Sequence, residues 1–494
     1  MKTNLFETKT LAFIIAGFVA AAITITACKK DKSKETEETS VFKDYSVNPA
    51  LVKTLSGFDN IKITTLISSD DVLPGSPDFV YGAQPDGGAM MKDPNSDGYI
   101  MVNNHEILFS VSRVFLDKNL KPLKGEYILD AAGGKTRLCS ATLATPEEHG
   151  FPFPVFLTAG ETDGESSIEA VNPLGPVSDK KKNNSLAALG KASAENAVPL
   201  SKNAYPGKTA IFIGEDQSSG TSMGQVNLYL SNTVGDLNNG KLYMLRRTNL
   251  NVVETDMNVN SSYDVEFVAY DDVKTSTGAQ LASQTITKSA IQFARVEDLD
   301  YGKGDATANR TLYFTATGVS GDKINPKPGL TMWGRVYKLE LDASSPLKGK
   351  LTPLIDGVVD PGNSLVNPDN ICVTKNYVYI QEDGDSYYEA VKHDGRVWQY
   401  NIATKELKPM IEMNHRRDDL TFNSKYNVAN DRRLSTWEYG AMYDISDLIG
   451  VPNTIVLNLH PHTWTSDKFK NADGSGITTN KEGGQTVILS GVPR

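Results

Sequence analysis

Hydrophobic positions along this chain fall in short runs rich in β-branched and aromatic residues, and most of them end at a polar, glycine-bearing turn. The clearest is Lys208-Thr-Ala-Ile-Phe-Ile-Gly-Glu-Asp-Gln-Ser-Ser-Gly220, an apolar run that closes on Glu215 and Asp216. Tyr377-Val-Tyr-Ile-Gln-Glu382-Asp383-Gly384 repeats it closely. Phe153-Pro-Val-Phe-Leu-Thr-Ala-Gly-Glu161 and Tyr99-Ile-Met-Val-Asn-Asn-His105-Glu106 are looser copies. Thr311-Leu-Tyr-Phe-Thr-Ala-Thr-Gly318 keeps the run and loses the acid, and Thr454-Ile-Val-Leu-Asn-Leu-His460-Pro-His462 is a further candidate. Runs this short and this rich in Val, Ile, Phe and Tyr predict strands, not helices.

The segments after these runs also repeat. Gly224-Gln-Val-Asn-Leu-Tyr-Leu230, Gly334-Arg-Val-Tyr-Lys-Leu-Glu340 and Gly395-Arg-Val-Trp-Gln-Tyr-Asn401 each open a second strand with Gly-Arg/Gln-Val. A strand, turn and strand unit recurring at long intervals predicts an all-β fold, a β-propeller of six blades with loop insertions. The acid-bearing runs are expected to be the innermost strands, along the central channel. The polar stretch 162–190 reads as a long loop, and the Thr/Ser/Asn-rich stretch 250–285 as an insertion or an elaborated blade edge. A second series precedes most runs: Cys139, Glu195-Asn196, Arg295-Val-Glu297 and Asp369-Asn370.

Composition sharpens this. The 494 residues are 39% apolar, with 40 Gly and 23 Pro, which suits a soluble protein with many turns. A net charge of −10, with no basic run interleaved with aromatics, argues against nucleic acid as a partner. Lys2 and Lys9 precede an apolar stretch from Leu11 to Thr26 that ends in Ile25-Thr-Ala-Cys28, resembling a bacterial lipoprotein signal. The expected organisation is a signal peptide over 1–27, a lipidated Cys28 at the head of a charged, flexible tether over 28–45, and a propeller over 46–494. The protein is then a monomer held to a membrane of the bacterial envelope, in the periplasm or at the cell surface. Cys139 and Cys372 are the other cysteines. They could pair, but Cys372 in an alternating strand reads as a small buried hydrophobe.

The two series supply candidate chemistry. Taken singly, an acid at a strand end is a turn residue; repeated in register, such acids converge on one end of the channel. Glu161, Glu195, Glu215, Asp216, Glu297, Asp369 and Glu382 are the carboxylates expected there, with Cys139 beside them. Crowded carboxylates repel unless protonated or bridged by cations. Oxygen-rich sites suit calcium, and a thiolate favours a softer metal such as iron. Arg295 and Glu297, two apart on a straight strand, share a face and can reach one site, where the guanidinium could clamp a phosphate. His105, His460 and His462 read as packing or hydrogen-bonding groups, since His-Pro-His matches no standard zinc spacing. No Gly-x-Ser-x-Gly elbow, phosphate-binding P-loop or His-Glu-x-x-His occurs.

Laid out in this order, the chain resembles the PhoX-type alkaline phosphatases between about Gly87 and Trp464. The pieces are Asn104-His-Glu106, the Cys139 segment, Glu195, Gly214-Glu-Asp216, Phe293-Ala-Arg-Val-Glu297, Asn367-Pro-Asp-Asn370, Gln381-Glu-Asp383 and Leu459-His-Pro. The resemblance implies a propeller with calcium and iron at the channel mouth that hydrolyses phosphorylated small molecules. By position it makes Cys139 and Glu161 iron ligands, and Glu195 a ligand shared by iron and calcium. Glu215 or Asp216, Glu297 and Asp369 become calcium ligands, and Arg295 the phosphate contact. The chain departs from the family at Leu138-Cys-Ser-Ala-Thr, at Ala159-Gly-Glu161 and in lacking a twin-Arg leader, which bears on the iron more than on the calcium. Two other classes fit the same residues: a calcium-dependent lactonase or esterase propeller, and a cell-surface binding lipoprotein without catalysis.

Overall fold

A computed structural model describes residues 42–320, 325–357, 364–383 and 391–494. The expected signal peptide, Cys28 and the tether as far as residue 41 lie outside these. Phe42 to Tyr45, expected to end the tether, instead belong to the folded unit that runs to Arg494. Asp44 Oδ1 accepts the Thr65 N–H at 2.8 Å, and Tyr45 packs partly buried against the core.

The strands run in chain order. β1 (Val52–Thr54) and β2 (Lys62–Ser68) are followed by β3 (Gly88–Lys92), β4 (Tyr99–His105), β5 (Ser110–Leu116) and β6 (Pro122–Leu129), which form a four-stranded meander. β7 (Leu138–Ala144), β8 (Val155–Gly160) and β9 (Ile168–Val171) form a three-stranded sheet. Next come β10 (Ala194–Pro199), β11 (Thr209–Glu215), β12 (Val226–Ser231), β13 (Lys241–Arg247) and β14 (Tyr263–Ala269). β15 (Val296–Tyr301), β16 (Thr311–Ala316), β17 (Arg335–Leu341) and β18 (Lys348–Asp356) join them in one nine-stranded sheet, because β14 pairs with β18. β19 (Pro368–Val373), β20 (Tyr377–Glu382), β21 (Arg396–Asn401) and β22 (Leu407–Met413) carry β1 on their outer edge. Last, β23 (Glu438–Asp444), β24 (Thr454–His460) and β25 (Gln485–Ser490) are completed by β2, so strands from opposite ends of the sequence share a sheet.

Every ladder is antiparallel, and the arrangement is propeller-like. β3 lies against β7, β7 against β10, β10 against β15, β15 against β19, β19 against β23 and β23 against β3, closing a ring. The hydrogen-bond ladders therefore outline four separate sheets and one of nine strands, rather than six separate blades. Apolar side chains fill the spaces between sheets. Phe293, Phe314 and Tyr337, for example, pack as an aromatic cluster with Phe314 stacked on Tyr337 at 4.8 Å.

Two expectations change. The apolar runs, with or without a closing acid, are not the innermost strands: β4, β8, β11, β16, β20 and β24 are second in their sheets, and the short polar elements before them line the axis. The reason is burial on both faces. A second strand is flanked by strands and packed above and below, so it reads as a strong apolar run, whereas a channel-lining strand carries polar side chains and a weak signal. The stretch read as a loop holds β9, while the one read as an insertion or an elaborated blade edge holds β14, which extends the sheet beyond β13, and the start of the helix Gly278–Thr287. Its capping box, Thr277 with Gln280, was readable in the sequence.

Candidate metal centre at the channel mouth

The site is built by a repeated irregularity in the inner strands. Between the pairs Leu138↔Gly160 and Ala141↔Thr158, the inner strand advances three residues while its partner advances two. The same single extra residue occurs between Ala194 and Ala197, between Val296 and Leu299, between Pro368 and Ile371, and between Tyr439 and Met442. Each is a β-bulge, which re-aims the side chains it displaces. Cys139-Ser140, Glu195-Asn196, Glu297-Asp298 and Asp369-Asn370 sit in four of these bulges.

The first residue of each pair turns to the mouth. Glu195, Glu297 and Asp369 place ligand oxygens within 4.8 Å of one another; so do Asp86, Cys139 and Glu195, and so do Glu106, Cys139 and Glu161. Sharing Glu195 and Cys139 links the three groups into one chain of donors, all buried except the partly exposed Glu161. The second residue of each pair forms a floor. Asn370 Nδ2 donates to Ser140 Oγ at 2.6 Å, joining β19 to β7 on the far side of the ring. Asn196 Nδ2 donates to Asp298 Oδ1, whose other oxygen accepts the Ile371 N–H at 3.1 Å.

Arg295 stands at the rim, its side chain 24% exposed. Its guanidinium reaches Asp216 Oδ1 at 2.8 Å, Glu297 Oε1 at 2.8 Å and Asp383 Oδ2 at 3.7 Å. Arg295 and Glu297 do meet, but not along a straight strand: Arg295 precedes β15 with φ +65°, and Glu297 is in the bulge. Arg137 plays a matching part opposite, contacting Glu106 and lying 3.6 Å from Glu161 Oε2. The Cys139 thiol donates to Glu161 Oε2 at 3.4 Å.

Electrostatics follow from the crowding. Burial, then neighbouring acids, pushes the carboxyls of Asp86, Glu195 and Asp369 well above their ordinary range. Burial does the same to Glu297 against the pull of Arg295. Glu161 is pushed up to about 8, by burial first and then by Asp216 and Glu106. Burial and the surrounding acids also raise the Cys139 thiol. Asp86 Oδ1 is buried without a hydrogen-bond partner. Such a set is costly with protons alone and suits divalent cations: hard ions at the all-carboxylate group, a softer one beside the thiol.

Two expected ligands lie elsewhere. Glu382 is claimed by the protein: Oε1 accepts from Val366 N at 3.0 Å and from Trp398 Nε1 at 2.8 Å, and Oε2 accepts from Arg396 N at 2.8 Å. Glu215, next to Asp216 and on the opposite face of its strand, lines a small cavity with Tyr270, Asn227 and Ser166. Cys139 and Cys372 are both buried and free. Asp86 and Glu438 are functional candidates that the sequence does not single out. Asp86 is hidden in a Pro-Asp-Gly-Gly turn, and Glu438 in a stretch that matches no other copy of the repeat. Glu106 belongs to a recognisable motif, but its place among the ligands is visible only in the fold. His460 and His462, expected as packing or hydrogen-bonding groups, lie with Glu438 in a further cluster of possible ligands.

No protein-family model matches the chain, and no curated protein matches it in sequence. Among solved structures, Pseudomonas fluorescens PhoX in complex with vanadate, a transition state analogue, superposes with a TM-score of 0.62 at 13% identity, over 91% of this chain and 98% of that one. The α-L-arabinofuranosidase Arb93A of Fusarium graminearum gives a TM-score of 0.38 at 10% identity, covering 82% of this chain and 93% of that one. At these identities the likeness to PhoX shows a shared fold.

Proposed function

We propose that this chain is a metal-dependent phosphomonoesterase, acting on phosphorylated small molecules at the acid-lined channel mouth. Glu195, Glu297 and Asp369 would hold calcium, and Cys139 with Glu106 and Glu161 would hold a softer ion such as iron. Bound cations would neutralise phosphate charge and activate an oxygen nucleophile. The chain's own residues do the rest. Arg295 would present its partly exposed guanidinium fork to an incoming phosphate, a shape matched to two phosphate oxygens. Asp216 and Glu297 fix the fork in place, and the floor of Ser140, Asn370, Asn196 and Asp298 closes the cup beneath. On this reading the nine-stranded sheet is two blades fused at their outer edges, making six. The enzyme works as a monomer in a bacterial envelope, tethered through a lipid on Cys28.

The observation that carries the reading is Arg295, a partly exposed cation at the rim beside a carboxylate group that fits a metal. The shared fold with a protein that holds vanadate, a phosphate-like oxyanion, supports it. The test is hydrolysis of p-nitrophenyl phosphate and p-nitrophenyl acetate, each with and without exhaustive chelation. Phosphate ester cleavage that is lost on chelation, regained with calcium and inhibited by vanadate is expected. Cleavage that survives chelation, or acts on the acetate alone, would overturn the proposal and favour an esterase or a binding protein.

A further inference from the structure

We propose that Glu438, His460 and His462 form a second site, bordering the acid-lined mouth, for a nitrogen-preferring transition-metal ion such as zinc, cobalt(II) or copper(II), on the sheet β2–β23–β24–β25. The site does not depend on the phosphate chemistry. Glu438 opens β23 and pairs directly with His460, the last residue of β24. The His462 N–H then bonds back to His460 O at 3.0 Å, a three-residue turn around Pro461. Proline's fixed φ suits the centre of such a turn. The turn keeps both rings on one side, with centroids 6.0 Å apart.

The distances match coordination. Glu438 Oε2 lies 3.2 Å from His462 Nε2 and 3.5 Å from His460 Nδ1. A tetrahedral ion with ligands at about 2.1 Å would hold neighbouring donors about 3.4 Å apart. The outer contacts match as well. His462 Nδ1 lies 2.9 Å from Glu482 Oε2, which also accepts from Gln84 Nε2 at 2.9 Å. A carboxylate behind a histidine is the arrangement that fixes the tautomer of a metal ligand and turns its other nitrogen to the ion.

A plain ion pair, with His462 charged between Glu438 and Glu482, accounts for His462 alone. It leaves His460 poorly satisfied: both ring nitrogens are buried without a hydrogen bond, and Nδ1 meets Glu438 Oε2 only at 3.5 Å. An ion taking the Nδ1 lone pair gives that nitrogen a partner. Imidazole donors also separate this position from the carboxylate group: calcium takes oxygen, whereas zinc, cobalt and copper take imidazole.

The test uses the full chain, stripped by chelation and then saturated with calcium. Cobalt(II) is titrated in, and its visible absorption and bound stoichiometry are read. Wild type and Cys139→Ser are both expected to bind an additional cobalt ion whose spectrum lacks a thiolate charge-transfer band. His460→Gln and His462→Gln should weaken this binding by about 100-fold or more, and Glu482→Gln by about 10-fold, with calcium stoichiometry unchanged. A second measurement needs no variant: copper(II) bound to the calcium-loaded wild type should show nitrogen coupling from imidazole in its electron paramagnetic resonance spectrum. Unchanged cobalt affinity in both histidine variants, cobalt binding that requires Cys139, or copper coupled to oxygen alone would each overturn the proposal.

Discussion

Arg295 and Glu297 occupy one corner of the site and should fail differently. Glu297 belongs to the all-carboxylate group, so Glu297→Gln removes a charged ligand and is expected to lower kcat/KM on p-nitrophenyl phosphate by about 100-fold or more. Arg295→Ala removes the phosphate clamp. The loss of charge-assisted hydrogen bonds should raise KM by about 10- to 100-fold while kcat falls less. It also frees Asp216, Glu297 and Asp383 from their cation, so calcium should bind at least as tightly as in wild type; weaker calcium binding would sink this assignment. Glu382 is the contrasting case, with two backbone N–H groups and an indole on its oxygens. Glu382→Gln should cost about 1–3 kcal/mol of stability in a denaturant titration and leave calcium stoichiometry intact. The sequence places Glu382 at the end of an apolar run and Glu195 in the polar element before one, yet it offers both as ligands; what distinguishes them is which donors the neighbouring segments bring.

The bulge is the element that turns an ordinary antiparallel pair into part of a site. Without it, Cys139, Glu195, Glu297 and Asp369 would continue the strict alternation of their strands and lose their common aim. β23 shows the device used for space instead of charge. There the bulge holds Gly440-Ala441, and a Cβ on Gly440 would lie 2.5 Å from Pro85 O, 2.8 Å from Asp86 Cα and 2.8 Å from His460 Nε2. Gly440→Ala is therefore expected to cost about 1–3 kcal/mol by overpacking and to weaken both calcium and cobalt binding, since it pushes on Asp86 and His460 together. Thermal unfolding and metal titration on the same sample check this; unaltered metal affinities would show that the backbone absorbs the methyl group elsewhere. Strands were legible wherever both faces were buried, as in Tyr377–Glu382 and Thr209–Glu215. Their rank within the sheet was not legible, because an inner strand such as Ala194–Pro199 is short, interrupted by Glu195-Asn196 and closed by a proline, and looks like a turn approaching the next run.

At the scale of the whole molecule, the toroid explains why distant parts of the sequence share one site and why that site should govern stability. The repeat was enough to predict a propeller. The fusion of β14 to β18 and the closure of β2 onto β25 were not readable, because pairing between edges leaves no local pattern. Ring closure brings buried acids from around the axis to one mouth, with Arg137 and Arg295 as the cations among them. Without metal, Asp86, Glu195, Glu297 and Asp369 have their affinity for protons raised, and Glu161 titrates near about 8 against an ordinary 4.5. A carboxyl whose folded pKa lies above its unfolded value stabilises the fold while both states hold the proton, and that contribution is lost as pH rises through the folded pKa. Metal-stripped protein should therefore lose stability steadily between about pH 4.5 and about pH 8. Cations replace the protons, so stabilisation by calcium should grow over the same window, where protons no longer compete. Thermal unfolding at pH 5 and at pH 8, with chelator or with millimolar calcium, measures this. The calcium-induced rise in Tm is expected to be larger at pH 8 by about 5 °C or more. Equal shifts at the two pH values would mean that calcium binds away from these acids, and the mouth would then have to be read as a proton-bridged polar core.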